Sequence, residues 1–185
     1  MQKKLLLIIT LISTAFFANA QDAKPQISAG VTLGAAVGKL SSSYPVASSV
    51  NVRYSHPIND QLRILATTGF SSYVSSDGYY TGYDTYNGSF SAGSLVTFWP
   101  TQIGVKAYLV NRLFVQADAG ISVNLNEYWD DITKVAPLVS TSVGYTVPFG
   151  RSKWSLDLGL GYENRIDKSV GFSQIKLGAL FNFDL

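Results

Sequence analysis

Within the later alternating segments of this chain every charged residue falls on one parity. Lys106, Asp118, Asp157, Glu163, Lys176 and Asp184 all stand opposite the large aliphatic side chains, and no charge interrupts the aliphatic face. Successive side chains of a β-strand point to opposite sides, so each such segment is a strand with two chemically different faces. The stretch LFVQADAGISVNL shows the pattern: Leu113, Val115, Ala117, Ala119, Ile121, Val123 and Leu125 share one parity, and Phe114, Gln116, Asp118, Gly120, Ser122 and Asn124 the other. A fold must give each face its own medium.

Eight segments carry this alternation, at 26–38, 49–56, 61–73, 101–110, 113–125, 137–148, 154–164 and 170–185. The fourth has an earlier start near Ser91 open to it, with Pro100 then at a bulge, one of the few places where a strand tolerates proline. No helical period interrupts the series, and the connections are too short for crossover helices, so the neighbours are antiparallel. Connector length alternates. PIND, NR and GRSK are short, whereas the others are long and rich in Ser, Tyr, Asp, Asn and Gly, the longest being VSSDGYYTGYDTYNGSF. Short turns at one end and long loops at the other are the plan of bacterial outer-membrane barrels, whose short turns face the periplasm. An even strand number puts both termini on that side.

Composition decides which face meets lipid. Only 14% of the chain is charged while 46% is hydrophobic, against about a quarter charged in an ordinary soluble domain. A soluble eight-stranded barrel would enclose its apolar residues and expose a strongly charged set. Here the polar parity is mostly Gly, Ser, Thr, Gln and Asn, too weakly charged for a water-facing exterior but suited to a narrow lumen. The apolar parity therefore faces lipid. The sheet must close, because unpaired backbone groups at an open edge find no water in hydrocarbon and cost several kcal/mol each. Aromatic residues near strand ends fit the girdles of such a barrel: Tyr54, Tyr108, Phe149, Trp154 and Phe183 towards the short turns, and Tyr73, Trp99 and Tyr162 towards the long loops.

Residues 1–20 read as a cleaved signal peptide and 21–185 as one barrel domain. Lys3 and Lys4 form a basic start, Leu5 to Phe17 an apolar run, and Ala18-Asn19-Ala20 a cleavage site before Gln21. Removing Lys3 and Lys4 lowers the 14 basic residues to 12, equal to the 12 acidic ones. A mature chain without net charge has no electrostatic footprint for nucleic acid. The absence of cysteine rules out disulfides, thiol catalysis and thiolate metal sites.

The last segment carries a motif. Lys176, Gly178, Phe181 and Phe183 in KLGALFNF resemble the β-signal of outer-membrane barrels, a polar residue, a glycine and alternate hydrophobic residues near the C-terminus. The chain departs by continuing to Asp184-Leu185, where that pattern often ends on an aromatic residue. Over its mature length the sequence resembles the eight-stranded outer-membrane β-barrel proteins of the OmpA-barrel and OmpX type, also known as small porin-family proteins. The resemblance implies a closed, all-β, up-and-down antiparallel transmembrane barrel in the outer membrane of a Gram-negative cell, monomeric, surrounded by outer-membrane lipid and recognised by the barrel-assembly machinery through its terminal strand.

Candidate chemistry is sparse. His56 is the single histidine and lies at an expected periplasmic turn, the wrong end for the histidine base of a lipid-modifying outer-membrane enzyme. No metal site of two histidines is available, and no phosphate-binding glycine motif follows a strand. No catalytic residue, metal or cofactor is expected. The lumen instead holds Arg53, Arg63, Lys106 and Lys176 against Asp118, Asp157 and Glu163, with Gln116 and Gln174 between them. Buried charges are costly unless paired, so opposite signs should meet across strands, Lys106 with Asp118 among them. Such a network is either a plug or the lining of a narrow gated pore. The longest loop carries Tyr79, Tyr80, Tyr83 and Tyr86, flat faces with hydroxyls that suit protein or sugar contact, as well as the tip of a hairpin extending the third and fourth strands. The sequence thus points to an integral outer-membrane barrel, not an enzyme, with a structural or surface-interaction role through extracellular loops that would meet an unidentified ligand. A small-solute porin is the alternative, and a lipid-modifying enzyme the third reading. Expressed in a Gram-negative cell, the chain should be recovered processed, in the outer-membrane fraction, extractable only with detergent and heat-modifiable on gels; a soluble periplasmic product would reverse the assignment of the two faces.

Overall fold

The computed structural model describes residues 24–38, 41–76, 82–84, 89–91, 95–110, 112–126, 132–150, 153–167 and 171–185, with backbone alone for 82–84 and 89–91. The segment read as a signal peptide lies outside the described residues. Eight long strands follow one another: β1 (Gln26–Val37), β2 (Val46–Pro57), β3 (Leu62–Val74), β4 (Leu95–Val110), β5 (Leu113–Asn124), β6 (Val135–Pro148), β7 (Trp154–Arg165) and β8 (Phe172–Asp184). Each pairs antiparallel with its sequence neighbours, and β1 closes the barrel on β8 from Gln26 opposite Asp184 to Val37 opposite Ser173. Within the long β3–β4 connection, Gly82–Asp84 pairs with Ser89–Ser91 as a separate two-stranded piece. Tyr83 lies on it, while Tyr79, Tyr80 and Tyr86 lie outside the described residues.

Strand boundaries depart from the alternation where polar or imino residues blur it. β2 starts at Val46 rather than Ser49, because Ala47 and Ser48 continue the ladder opposite Tyr73 and Ser72. β4 starts at Leu95, and Ser91 belongs to the short separate pair. Pro100 makes no bulge. The β3–β4 register is the same on both sides of it, with Thr68 opposite Thr101 and Ser71 opposite Phe98, and pairing with β5 runs straight through Pro100 opposite Ser122. Proline lacks the N–H a ladder needs; on this seam the Thr68 hydroxyl donates to the Pro100 carbonyl at 3.1 Å. The register shift lies instead between Tyr108 and Val110, beside a turn closed by Arg112 at a positive φ of 78°.

No Asp, Glu, Lys or Arg occupies the outward parity on any of the eight strands. Ile27, Val31, Leu33, Ile103, Val105, Val115, Leu158, Leu160 and Leu177 all stand exposed on the outer surface. A continuous apolar belt of this kind is what hydrocarbon requires of a barrel. Tyr54, Trp99, Phe149, Trp154 and Tyr162 are outward, as girdle residues should be. Tyr73 and Tyr108 are not. Tyr73 shares the parity of Arg63 and Ser71 and is buried inside, and Tyr108 shares that of Lys106 and packs against Phe114 at 6.3 Å. Their place at strand ends fits a girdle, but parity overrides it.

Arginine introduced at Val115 or Leu158 should cost about 2–4 kcal/mol of stability in lipid vesicles, whereas Val115→Ile should stay within about 0.5 kcal/mol. Denaturant titration of the vesicle-inserted barrel reads both, and equal effects would mean that the outer surface does not meet hydrocarbon.

Candidate functional site

The inward parity of eight strands encloses a space that side chains can fill, so the lumen is the one interior the protein has. At the long-loop end it is apolar. Tyr44, Ala47, Tyr73, Val96, Phe98, Ile132 and Phe172 form one buried cluster. The Phe172 ring is its centre, 5.0 Å from Tyr73, 5.1 Å from Phe98 and 6.1 Å from Tyr44 between ring centroids. Arg165 lies over Phe98 with its guanidinium carbon 4.5 Å from the ring centre, and it is held there by an ion pair with Asp167 and a hydrogen bond to the Thr133 carbonyl. Sequence reading missed this arginine by ending the seventh strand one residue early. The alternation Asp157, Gly159, Gly161, Glu163, Arg165 carries the inward parity straight to it.

Below this layer the lumen is polar and crossed by hydrogen bonds. The Lys106 ammonium reaches Asp157 Oδ2 at 2.5 Å, from β4 to β7 across the interior, and Thr146 Oγ1 donates to Asp157 Oδ1 at 2.6 Å. The same ammonium sits 4.0 Å from the Phe114 ring centre and 4.8 Å from that of Tyr108. Lys176 pairs with Glu163 Oε2 at 2.5 Å, and Gln174 donates to Glu163 Oε1 at 2.9 Å. Arg53 donates to Gln116 Oε1 at 3.0 Å and to Thr67 Oγ1 at 3.1 Å, and Gln116 in turn donates to Asp118 Oδ2 at 2.6 Å. Arg63 reaches down to the Lys24 carbonyl at 3.0 Å, tying the N-terminal approach to the short-turn end.

The expected meeting of Lys106 with Asp118 does not occur. In register Asp118 faces Gly104, and Lys106 faces Gln116. A Cβ on Gly104 would lie 2.2 Å from Asp118 Oδ1, so glycine there leaves the carboxylate the room it occupies. Phe114 reaches Gly144, where a Cβ would fall 2.4 Å from its ring tip, and Lys106 crosses the lumen with its ammonium 4.0 Å from the same ring's centre. Asp118 therefore faces Arg53 through an intervening amide instead of pairing with a lysine.

A small chamber remains between the aromatic layer and the level of Phe114 and Leu180. Its volume is about 60 Å³, and Arg53, Asp118, Ser71, Gln102, Glu163 and Lys176 are among the residues around it, room for about four water molecules. Asp118 Oδ1 and Ser71 Oγ, both buried, have no protein partner and border this space. Elsewhere the candidate residues are dispersed. Gly178 of the terminal motif faces the lumen with Lys176, whereas Phe181 and Phe183 face outward on the same strand. His56 is exposed at the short-turn rim with the Tyr54 hydroxyl 3.2 Å from Nδ1. Among the described residues no group of His, Cys, Asp and Glu is arranged to hold a metal ion.

Barrel closure, apolar belt and filled polar lumen together define a small eight-stranded transmembrane barrel of the outer-membrane type. No family model matches the chain, and no curated protein resembles it in sequence. Solved structures do resemble it in fold. Neisserial surface protein A (NspA) superposes with a TM-score of 0.55 at 12% identity, over 88% of this chain and 98% of that one. The outer membrane protein Ail of Yersinia pestis, in a phospholipid bilayer nanodisc, gives 0.52 at 11% identity over 88% of this chain and all of its own. At such identities the likeness is one of fold.

Asp157→Asn should destabilise the barrel by about 3–5 kcal/mol, because it leaves the buried Lys106 ammonium without a counter-ion. Adding Lys106→Met should return part of that loss, with a coupling of about 0.5–3 kcal/mol in a double-mutant cycle. Strictly additive losses would show that the two charges do not depend on each other.

Proposed function

We propose that the protein is an integral outer-membrane barrel whose lumen is a structural plug, and that its contacts with other molecules are made by the long loops. The reading rests on one observation: the interior is crossed by the Lys106–Asp157 ion pair and closed towards the long loops by the Phe172-centred aromatic cluster. A lumen filled by side chains in this way, with a chamber of about 60 Å³ among them, weighs against a porin. The single histidine, His56, is exposed at the short-turn rim and not in the lumen, which weighs against a lipid-modifying enzyme. The surfaces left for recognition are then the loops. The longest is rich in tyrosine, a residue that supplies large contact area at low entropic cost. The signal-like leader and the short-turn placement of both termini support insertion from the periplasm, which turns the long loops to the cell exterior. The names of the two fold neighbours, a surface protein and the attachment invasion locus protein, agree with a role at the surface.

Planar-bilayer recording is the test. The purified, folded barrel should add no stepwise conductance to the membrane, and Phe98→Ala combined with Phe172→Ala, if still heat-modifiable, should introduce brief openings by thinning the apolar layer. Sustained channels in the unaltered protein would replace the plug with the small-solute porin.

A further inference from the structure

The outward wall formed by β7 and β8 carries two features, one at the rim and one deeper in the belt. At the short-turn rim four aromatic side chains gather, Phe149 stacked on Phe181 at 6.3 Å and Trp154 against Phe183 at 4.9 Å between centroids. The Lys153 ammonium lies 5.9 Å from the centre of the Phe183 ring, so it leans onto this wall. Among the described residues no carboxylate forms an ion pair with Lys153. The nearby Asp184 carboxylate accepts a hydrogen bond from Gln26 Nε2 at 2.6 Å, towards β1. Tyr54 and His56 are the corresponding pair on the outward face of β2, with the Tyr54 hydroxyl 3.2 Å from His56 Nδ1.

Deeper in the belt the same wall is indented, as the outer surface also is between β5 and β8 and between β3 and β5. An apolar trough of about 580 Å³ is lined by Val31, Leu33, Leu158, Leu160, Leu177 and Ala179. Its cause is one small side chain. Ala179 sits in register between Val31 on β1 and Leu158 on β7, and along β8 between the outward Leu177 and Phe181. From Ala179 to Phe183 is four residues, about 13 Å at the rise of a strand, and Phe183 stands opposite Trp154, the residue after Lys153. Cation, aromatic rim and apolar trough thus follow one another down a single wall.

We infer that this wall seats one anionic phospholipid of the leaflet on the short-turn side, its phosphate on Lys153 and an acyl chain in the trough over Ala179. The spacing matches a lipid whose head is at the rim and whose chain passes Phe181 into the indentation. Net negative charge matters because a zwitterionic lipid carries its own ammonium beside the phosphate, whereas an anionic one leaves its charge for the unpaired lysine. The inference rests on the barrel standing in lipid and is independent of what the loops bind or whether the lumen conducts.

Native mass spectrometry of the mature barrel, released from phosphatidylcholine nanodiscs containing a minor fraction of phosphatidylglycerol, tests it. Phosphatidylglycerol should be retained about fivefold over its bulk ratio, the equivalent of about 1 kcal/mol for one surface cation. Lys153→Gln should return the retained lipid to the bulk ratio. Ala179→Phe, which fills the trough on a lipid-facing position, should lower the number of lipids retained of either kind, and Ala179→Leu provides the milder version; gel heat-modifiability confirms that each variant is folded. Retention at the bulk ratio by the unaltered protein, undiminished enrichment in Lys153→Gln, or a lipid-free dimer would each overturn the proposal.

Discussion

A backbone placed in hydrocarbon has nowhere to send its hydrogen bonds except to itself, and that constraint organises this molecule. Closure of β1 on β8 over the full span from Gln26–Asp184 to Val37–Ser173 removes the last free edge. Pro100 shows how strictly it is met. A residue that cannot donate sits in the middle of β4, yet the register around it holds and its carbonyl takes a threonine hydroxyl instead. Once the ladder is closed at eight strands, the circumference is set, and the interior is too narrow for bulk water but wide enough for side chains.

The contents of that interior follow from its width. Glycines make room for long side chains, as Gly144 does for Phe114, and Lys106 and Lys176 find their carboxylates on the opposite wall and on the neighbouring strand. The ion pairs Lys106–Asp157 and Lys176–Glu163 are buried, and their burial makes each partner dependent on the other. The aromatic layer around Phe172 covers them on the long-loop side. Polar network and apolar layer are therefore one device, and the about 60 Å³ chamber is the space they leave between them.

Outside, the same parity that fills the lumen leaves a surface without charge through the whole belt. Its variations are of size and aromaticity rather than polarity. Apolar troughs recur around the wall, at Thr141 and Ala117 as well as at Ala179; on the β7–β8 face the trough lies below a cation and a cluster of rings. The loops in water and this wall in lipid are the surfaces we propose for recognition.

The sequence by itself determined the strand set, the direction each side chain faces, the alternation of short turns and long loops, and the medium on each side of the sheet. These are local or periodic properties: a side chain's parity is settled by its neighbours two residues away, and Lys106, Asp157 and Glu163 declare theirs without reference to any other strand. What meets what inside was decided by the tertiary structure. Lys106 finds Asp157, three strands away around the barrel, instead of Asp118 on the adjacent strand. Arg165 closes over Phe98, and the Tyr73 and Phe98 rings gather around Phe172. Contacts across a closed barrel depend on its circumference and on the stagger of its strands, quantities that exist only after all eight have paired, so no single stretch of sequence carries them.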